Sequence, residues 1–232
     1  KKIIKSVDVL IVSYNFGFLP EIDKIVELCK ENDVVLIEDC AQALGAEYNG
    51  ELAGSFGDYA FYSFGISKNA GFCGGLIASD RKLEVGDLGK FSRGRLFKTV
   101  LEVFMSPLFF NRHLYPHTRK LLKKELTKKQ ERINYRMPKF ARKVVLNQLK
   151  RYNYMLNVRR RNAKYLIDKL SGFVDNGPIN FVKPTFGNPT WLYFTILSED
   201  KDKLKHDLMK KCVELGEMLT FQCLDGKSKK AQ

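Results

Sequence analysis

The stretch VDVLIVSYNFGFLPEIDKIVELCKENDVVLIED, Val7 to Asp39, decides the fold. It opens with a β-branched apolar run, Val7 to Ser13, and closes with another, Val34 to Glu38. Runs of that length and composition read as buried strands. Between them Pro20 opens a segment in which Ile22, Ile25, Val26 and Cys29 recur at helical spacing. Strand, helix and strand within about 30 residues form a βαβ unit, whose strands lie parallel and whose crossover is right-handed. The prediction is an α/β protein with a mainly parallel sheet covered on both faces.

Working outward, Asn49-Gly50 is a two-residue hairpin signal, and Asp58 to Phe64 and Leu76 to Ser79 read as further strands, joined by the loop GISKNAGFCGG from Gly65 to Gly75. From about Arg81 the sequence turns long, basic and helical. Leu96 to Phe110 is apolar and aromatic but broken by Lys98, Glu102 and Pro107, too short to span a bilayer. It is expected to cover a core, an interfacial helix being the lesser reading. From Pro138 to Leu170 one stripe, Ala141, Val145, Leu149, Tyr152 and Leu156, then Ala163, Ile167 and Leu170, predicts a long helix closed by Ser171-Gly172. Thr190 to Ser198 reads as a strand and Asp200 to Leu215 as a helix. The expected division is a large domain over 1–135 carrying a basic helical insertion at about 84–130, a long helix and smaller C-terminal α/β domain over 136–222, and a tail over 223–232.

The 232 residues are 44% hydrophobic and 28% charged, with 17 glycines and 7 prolines, which excludes disordered, collagen-like and low-complexity chains. The formal charge of +14 is local: residues 111–170 hold 19 Lys or Arg against Glu125, Glu131 and Asp168, while the remainder holds 21 basic and 23 acidic residues. Such runs usually solvate a helix face; a noncatalytic RNA- or anionic-membrane-binding module is the rival they offer. Five scattered cysteines without a Cys-x-x-Cys pair are expected to be reduced thiols in the cytoplasm. His113 and His117 flank Pro116 with no third ligand, so no metal site is expected.

Asp39 directly follows one apolar strand, and Lys68 lies in a glycine-rich loop after another. Both therefore fall at carboxyl ends, the edge where open parallel sheets bind ligands. Gln42 follows Asp39 by three residues, and Ser63 precedes Lys68 by five. Singly these are unremarkable: a strand-end Asp is usually a cap or turn residue, and a lysine is usually solvated. Together, an acid, an amide, a hydroxyl and an amine at one edge suggest a cofactor site. Cys73 has no histidine nearby in sequence and is the weaker candidate for a nucleophile.

EDCAQALGAEYNGELAGSFGDYAFYSF from Glu38, then SKN at Ser67, the paired glycines at Gly74, and NYRM at Asn134 leading into a helix, resemble the DegT/DnrJ-type nucleotide-sugar aminotransferases from about Val7 to Leu219. The resemblance implies a fold-type-I transferase dependent on pyridoxal 5'-phosphate, here an N-terminally truncated fragment. It implies that Lys68 forms the Schiff base with the cofactor, Asp39 partners the pyridinium nitrogen, Gln42 neighbours the ring's hydroxyl side, and Ser63 binds the phosphate. Asn134 would reach the phosphate in the neighbouring subunit, making a homodimer obligatory. The implied reaction moves an amino group, from glutamate, to a keto-sugar on a nucleotide, for aminosugar and cell-surface polysaccharide synthesis. Relatives with deoxysugar dehydratase activity replace this lysine by histidine, so Lys68 points to transamination. The chain departs from the pattern in lacking the N-terminal phosphate-binding turn and ring-stacking aromatic, in lacking an acid before the paired glycines, and in its longer stretch from Glu84 to Gln130.

Overall fold

The computed structural model describes residues 4–65, 68, 70–109, 135–174, 179–211 and 213–216. Strands β1 (Val9–Ser13) and β2 (Val35–Asp39) pair in parallel, Val9 opposite Val35 through Ser13 opposite Asp39. Helix α1 (Ile22–Glu31) connects them. Its inward stripe buries Ile22 and Cys29, with Ile25 and Val26 partly buried against the same core. Complete burial of Ile22 alone contributes about 1.5–3 kcal/mol. The helix stops because Asp33 turns left-handed (φ 53°), letting Val34 N–H donate to Cys29 O at 2.9 Å and Asp33 N–H to Lys30 O. This is a Schellman closure with aspartate where glycine is usual.

The Asn49-Gly50 signal folds as read. Strands β3 (Glu47–Tyr48) and β4 (Glu51–Leu52) pair antiparallel around a turn with φ 51° at Asn49 and 87° at Gly50. Two positive φ values define the hairpin turn whose twist suits the strands. Strand β5 (Tyr59–Ser63) adds in parallel beside β2, and β6 (Gly75–Ala78) antiparallel beside β5. The sheet order is β1-β2-β5-β6.

Strand alternation divides the sheet into two unlike faces. Leu10, Val12, Leu36, Glu38, Ala60 and Tyr62 point one way, into the main core with α1. Val9, Ile11, Ser13, Ile37, Asp39, Phe61, Ser63 and Ile77 share the other face by register. There Val9, Ile11 and Ile77 are 47%, 57% and 58% exposed. The expectation of a sheet covered on both faces thus holds for the α1 face over β1, β2 and β5, not at β6, where Leu76 opposite Tyr62 is 52% exposed, and not for this second face among the described residues.

Helix α2 (Arg93–Phe109) occupies the apolar stretch expected to cover a core. Val100 does pack onto a second cluster around Phe64, Ala70, Phe72, Ala141 and Val145. Phe97 and Phe104, however, are 72% and 76% exposed. The predicted long helix is two: α3 (Lys139–Leu149) and α4 (Tyr152–Val174). The break is a tightened turn in which Arg151 N–H donates back three residues to Gln148 O at 3.0 Å. The stripe survives it, since Ala141, Val145, Tyr152, Leu156 and Ala163 are all buried. Ser171-Gly172 does not stop α4, which continues to Val174.

Two compact units result. One comprises residues 1–166 with 183–194, the other 167–182 with 195–232. In the second, β7 (Ile179–Phe181) pairs antiparallel with β8 (Ile196–Ser198), and α5 (Lys201–Lys210) follows, its N-terminus capped by the Asp200 carboxylate accepting from Lys203 N–H. Only Ile196–Ser198 of the strand expected over Thr190 to Ser198 is extended. Trp191 is left-handed (φ 51°), and the amides of Thr190 and Leu192 donate to Gly17 O and Phe16 O instead of to a ladder.

Candidate functional site

Asp39 closes β2 at the carboxyl edge of the parallel strands, on the open face. Both its carboxylate oxygens are engaged. Ala41 N–H donates to Oδ1 at 3.0 Å, and the Ser13 hydroxyl, from the end of β1, donates to Oδ2 at 3.1 Å. The lateral partner of Asp39 on β5 is Phe61, two residues before Ser63. Ser63 therefore lies on the same face, one strand over and one side-chain repeat further along, about 8 Å away between Cα atoms.

Lys68 lies in the loop joining β5 to β6, beside Ser63. Its amide donates to Gly65 O at 2.9 Å. Gly65 stands between the two: a Cβ added there would come 3.6 Å from Lys68 Cγ and 3.8 Å from Ser63 Oγ, ordinary contact with both. The loop is pinned at its base, where Phe64 N–H donates to Gly74 O and Phe72 N–H to Phe64 O. Gln148 of α3 steadies it further by donating from Nε2 to Gly71 O at 2.9 Å. Cys73 is half-buried in this loop, and burial pushes its thiol up, the wrong direction for a nucleophile.

Gln42 joins the edge differently. Its side-chain oxygen accepts the Phe16 amide at 2.8 Å and its backbone oxygen accepts the Thr190 hydroxyl at 2.9 Å. Gln42 thereby ties the turn after β1 to the 188–192 segment, and what it can offer a ligand is the N–H donors of its amide. Asn134 lies outside the described residues, as do the whole basic stretch over 111–134 and the tail over 223–232. Tyr135, next to Asn134, packs edge-on to Phe91 and carries the Arg95 guanidinium 5.1 Å from its ring centre.

The structure adds two residues that sequence reasoning passed over. Ser13 is one. The other is Glu38, wholly buried on the core face of β2. Its Oε2 accepts the Tyr14 phenol at 2.7 Å and Gly54 N–H at 2.7 Å; its Oε1 accepts Phe56 N–H at 2.7 Å and Gly57 N–H at 2.6 Å. Tyr14 N–H also donates to Asp39 O at 3.1 Å. Burial, then the hydrogen bond and charge of Glu38, push the Tyr14 phenol well above its ordinary range. Burial and the charges of Glu38 and Asp39 do the same to the Cys40 thiol. This packed acid fastens the loop over 53–57 and the Ser13-Tyr14 corner beneath Asp39. A signal for it was present: an acid at an inward strand position, two residues after Leu36, with Gly54 and Gly57 downstream to bring bare amides close.

A carboxylate, a hydroxyl and a lysine gathered at one sheet edge suit a cationic ring carrying an anionic arm. The fold around them is that of pyridoxal-phosphate-dependent aminotransferases. A solved GDP-4-keto-6-deoxymannose-3-dehydratase holding a trapped PLP-glutamate geminal diamine aligns with a TM-score of 0.62 at 21% identity, over 90% of this chain and 53% of its own.

Residues 3–221 match the DegT/DnrJ/EryC1/StrS aminotransferase family, and the chain belongs to it. GDP-perosamine synthase of Vibrio cholerae is 24% identical over 218 residues, 90% of this chain and 50% of the relative. UDP-N-acetyl-3-dehydro-alpha-D-glucosamine 3-aminotransferase of Acidithiobacillus ferrooxidans is 40% identical over 72 residues, 30% of this chain and 20% of the relative. The chain spans about half the length of the Vibrio cholerae relative and of the solved dehydratase.

Proposed function

We propose that the whole protein carrying this chain is an aminotransferase acting on a nucleotide-linked keto-sugar, with glutamate as amino donor and pyridoxal 5'-phosphate as cofactor, in aminosugar and polysaccharide synthesis. The observation that carries the reading is the shared open face at one sheet edge, with Asp39 and Ser63 a strand apart and the Lys68 stem and Ser63 hydroxyl both close to Gly65. Family membership and the nucleotide-sugar relatives support the substrate class. The glutamate adduct in the matched dehydratase supports the donor.

When bound, the cofactor supplies a conjugated electron sink for the carbon that loses a proton. The chain's own residues do the rest. Asp39, negatively charged and fixed at both oxygens, holds the proton on the ring nitrogen by charge pairing. Ser63 Oγ and the Gly65 amide donate to phosphate oxygens and keep the ring in register. The Lys68 amine removes and returns the proton at the substrate carbon, a base and an acid in turn. Gln42 offers amide donors to the ring's hydroxyl side, and Asn134 reaches the phosphate across a homodimer. One matched structure is named a dehydratase, but Lys68 keeps a primary amine here, which favours amino transfer. The free thiols Cys29, Cys40 and Cys73 fit a reducing, cytoplasmic setting. Among the described residues no helix is long and apolar enough to cross a membrane.

The test is to mix the whole protein with pyridoxal phosphate and follow the visible band of the lysine-bound cofactor. It is expected with the native protein and lost in Lys68→Ala. With glutamate and nucleotide keto-sugars, an amino-sugar product is expected by mass spectrometry. No band in the native protein overturns the reading.

A further inference from the structure

Ser13 is the one hydroxyl in the VDVLIVS run, and the residues before it on its face, Val9 and Ile11, are apolar. Parallel register sets it directly opposite Asp39. Its hydroxyl donates to Oδ2 at 3.1 Å from 26 residues away in sequence. The donor at the other oxygen, Ala41 N–H, is a local turn bond that any strand-end aspartate can form. Among the described residues, Ser13 is the side chain that holds the Asp39 carboxylate from a different strand. The serine is fixed in turn: the amide of Tyr14, the next residue, donates to Asp39 O, and the Tyr14 phenol donates to the buried Glu38.

We propose that Ser13 is a positioning residue for the cofactor's ring nitrogen, acting through Asp39. By holding Oδ2 while the chain's own turn holds Oδ1, it sets the plane of the carboxylate, so that Asp39 meets the ring N–H without first searching rotamers. A strand-end serine present only for solubility would have no such effect. The proposal rests on the assignment of Asp39 to the ring nitrogen, and the experiment separates the two.

The whole apoprotein is titrated with pyridoxal phosphate and with 1-deaza-pyridoxal phosphate, in which C–H replaces the ring nitrogen. Native protein, Ser13→Ala, Ser13→Thr and Asp39→Asn are compared by dissociation constant and by urea midpoint. Ser13→Ala is expected to weaken pyridoxal phosphate by up to about tenfold, the cost of immobilising one freed side chain on binding. The same variant leaves the deaza analogue's affinity and the urea midpoint unchanged, and Ser13→Thr retains native affinity. Equal weakening of both ligands, or of neither, overturns the role of Ser13. If native protein and Asp39→Asn each bind the two ligands alike, Asp39 is not the nitrogen's partner and the underlying assignment fails, whatever Ser13 does.

Discussion

Replacing Glu38 by glutamine exchanges one carboxylate oxygen for an amide nitrogen at nearly constant volume, inside a site where two oxygens accept four hydrogen bonds. Turned toward the former Oε1, the nitrogen would confront two backbone donors, Phe56 and Gly57, neither of which can reverse. Turned toward the former Oε2, it meets Gly54 N–H and the Tyr14 phenol, and a phenol can rotate to accept. The second orientation is favoured, so one buried backbone donor, at Gly54, loses its partner at about 1–3 kcal/mol. The two bonds retained at Phe56 and Gly57 become neutral acceptors rather than charged ones, a further loss of about 1 kcal/mol each. The expected destabilisation is about 3–5 kcal/mol. Glu38→Ala strands three backbone donors, about 3–9 kcal/mol, which rivals the whole stability of a typical domain at about 5–15 kcal/mol. Glu38→Gln should therefore fold with a clearly lower urea midpoint at unchanged slope, read by near-ultraviolet circular dichroism, and Glu38→Ala should fail to accumulate. A glutamine variant within about 0.5 kcal/mol of native, the range of an ordinary surface substitution, would refute the reasoning.

Two further outcomes follow from the same corner. The Tyr14 phenol and Cys40 thiol, both 1% exposed and pushed up, keep protons that the unfolded chain releases. Stability should fall as pH rises past about 8.5 for the thiol and about 10 for the phenol, by about 1.4 kcal/mol per pH unit for each group; urea midpoints from pH 8 to 11 check this, and Tyr14→Phe should remove the phenol's share. Gly17 sits at φ 86° with a Cβ position 1.9 Å from Thr190 Oγ1. Gly17→Ala must strain the backbone and push Thr190 off Gln42 O, costing about 2–4 kcal/mol in the same assay.

What the sequence disclosed tracks what is local. The βαβ unit was legible because β-branched runs and the Ile22, Ile25, Cys29 spacing each select one backbone, and Asn49-Gly50 because few other pairs tolerate two positive φ values. The edge location of Asp39 and Lys68 followed from their places after strands, and that of Ser63 from its place at the end of one. The partnership of Ser13 with Asp39 did not, because it exists only through register between strands 26 residues apart. Thr190 to Tyr193 has a strand's composition, yet its amides bond to the turn at Phe16 and Gly17, a tertiary demand that overrides propensity. The helix over Leu96 to Phe109 kept its apolar pattern while leaving Phe97 and Phe104 in solvent, since hydrophobicity names a preference and not a neighbour.

Glu38 and Asp39 are joined by a single peptide bond, yet the pleat of β2 sends them to opposite sides of the sheet. Were β2 to shift by one residue against β1 and β5, the two acids would change faces: the one that secures the interior would be stranded in water, leaving its amides without an acceptor, and the one at the ligand edge would be buried. Alignment of three short strands is thus the shared precondition of a sound interior and a working edge, and any substitution that loosens that alignment endangers both at once.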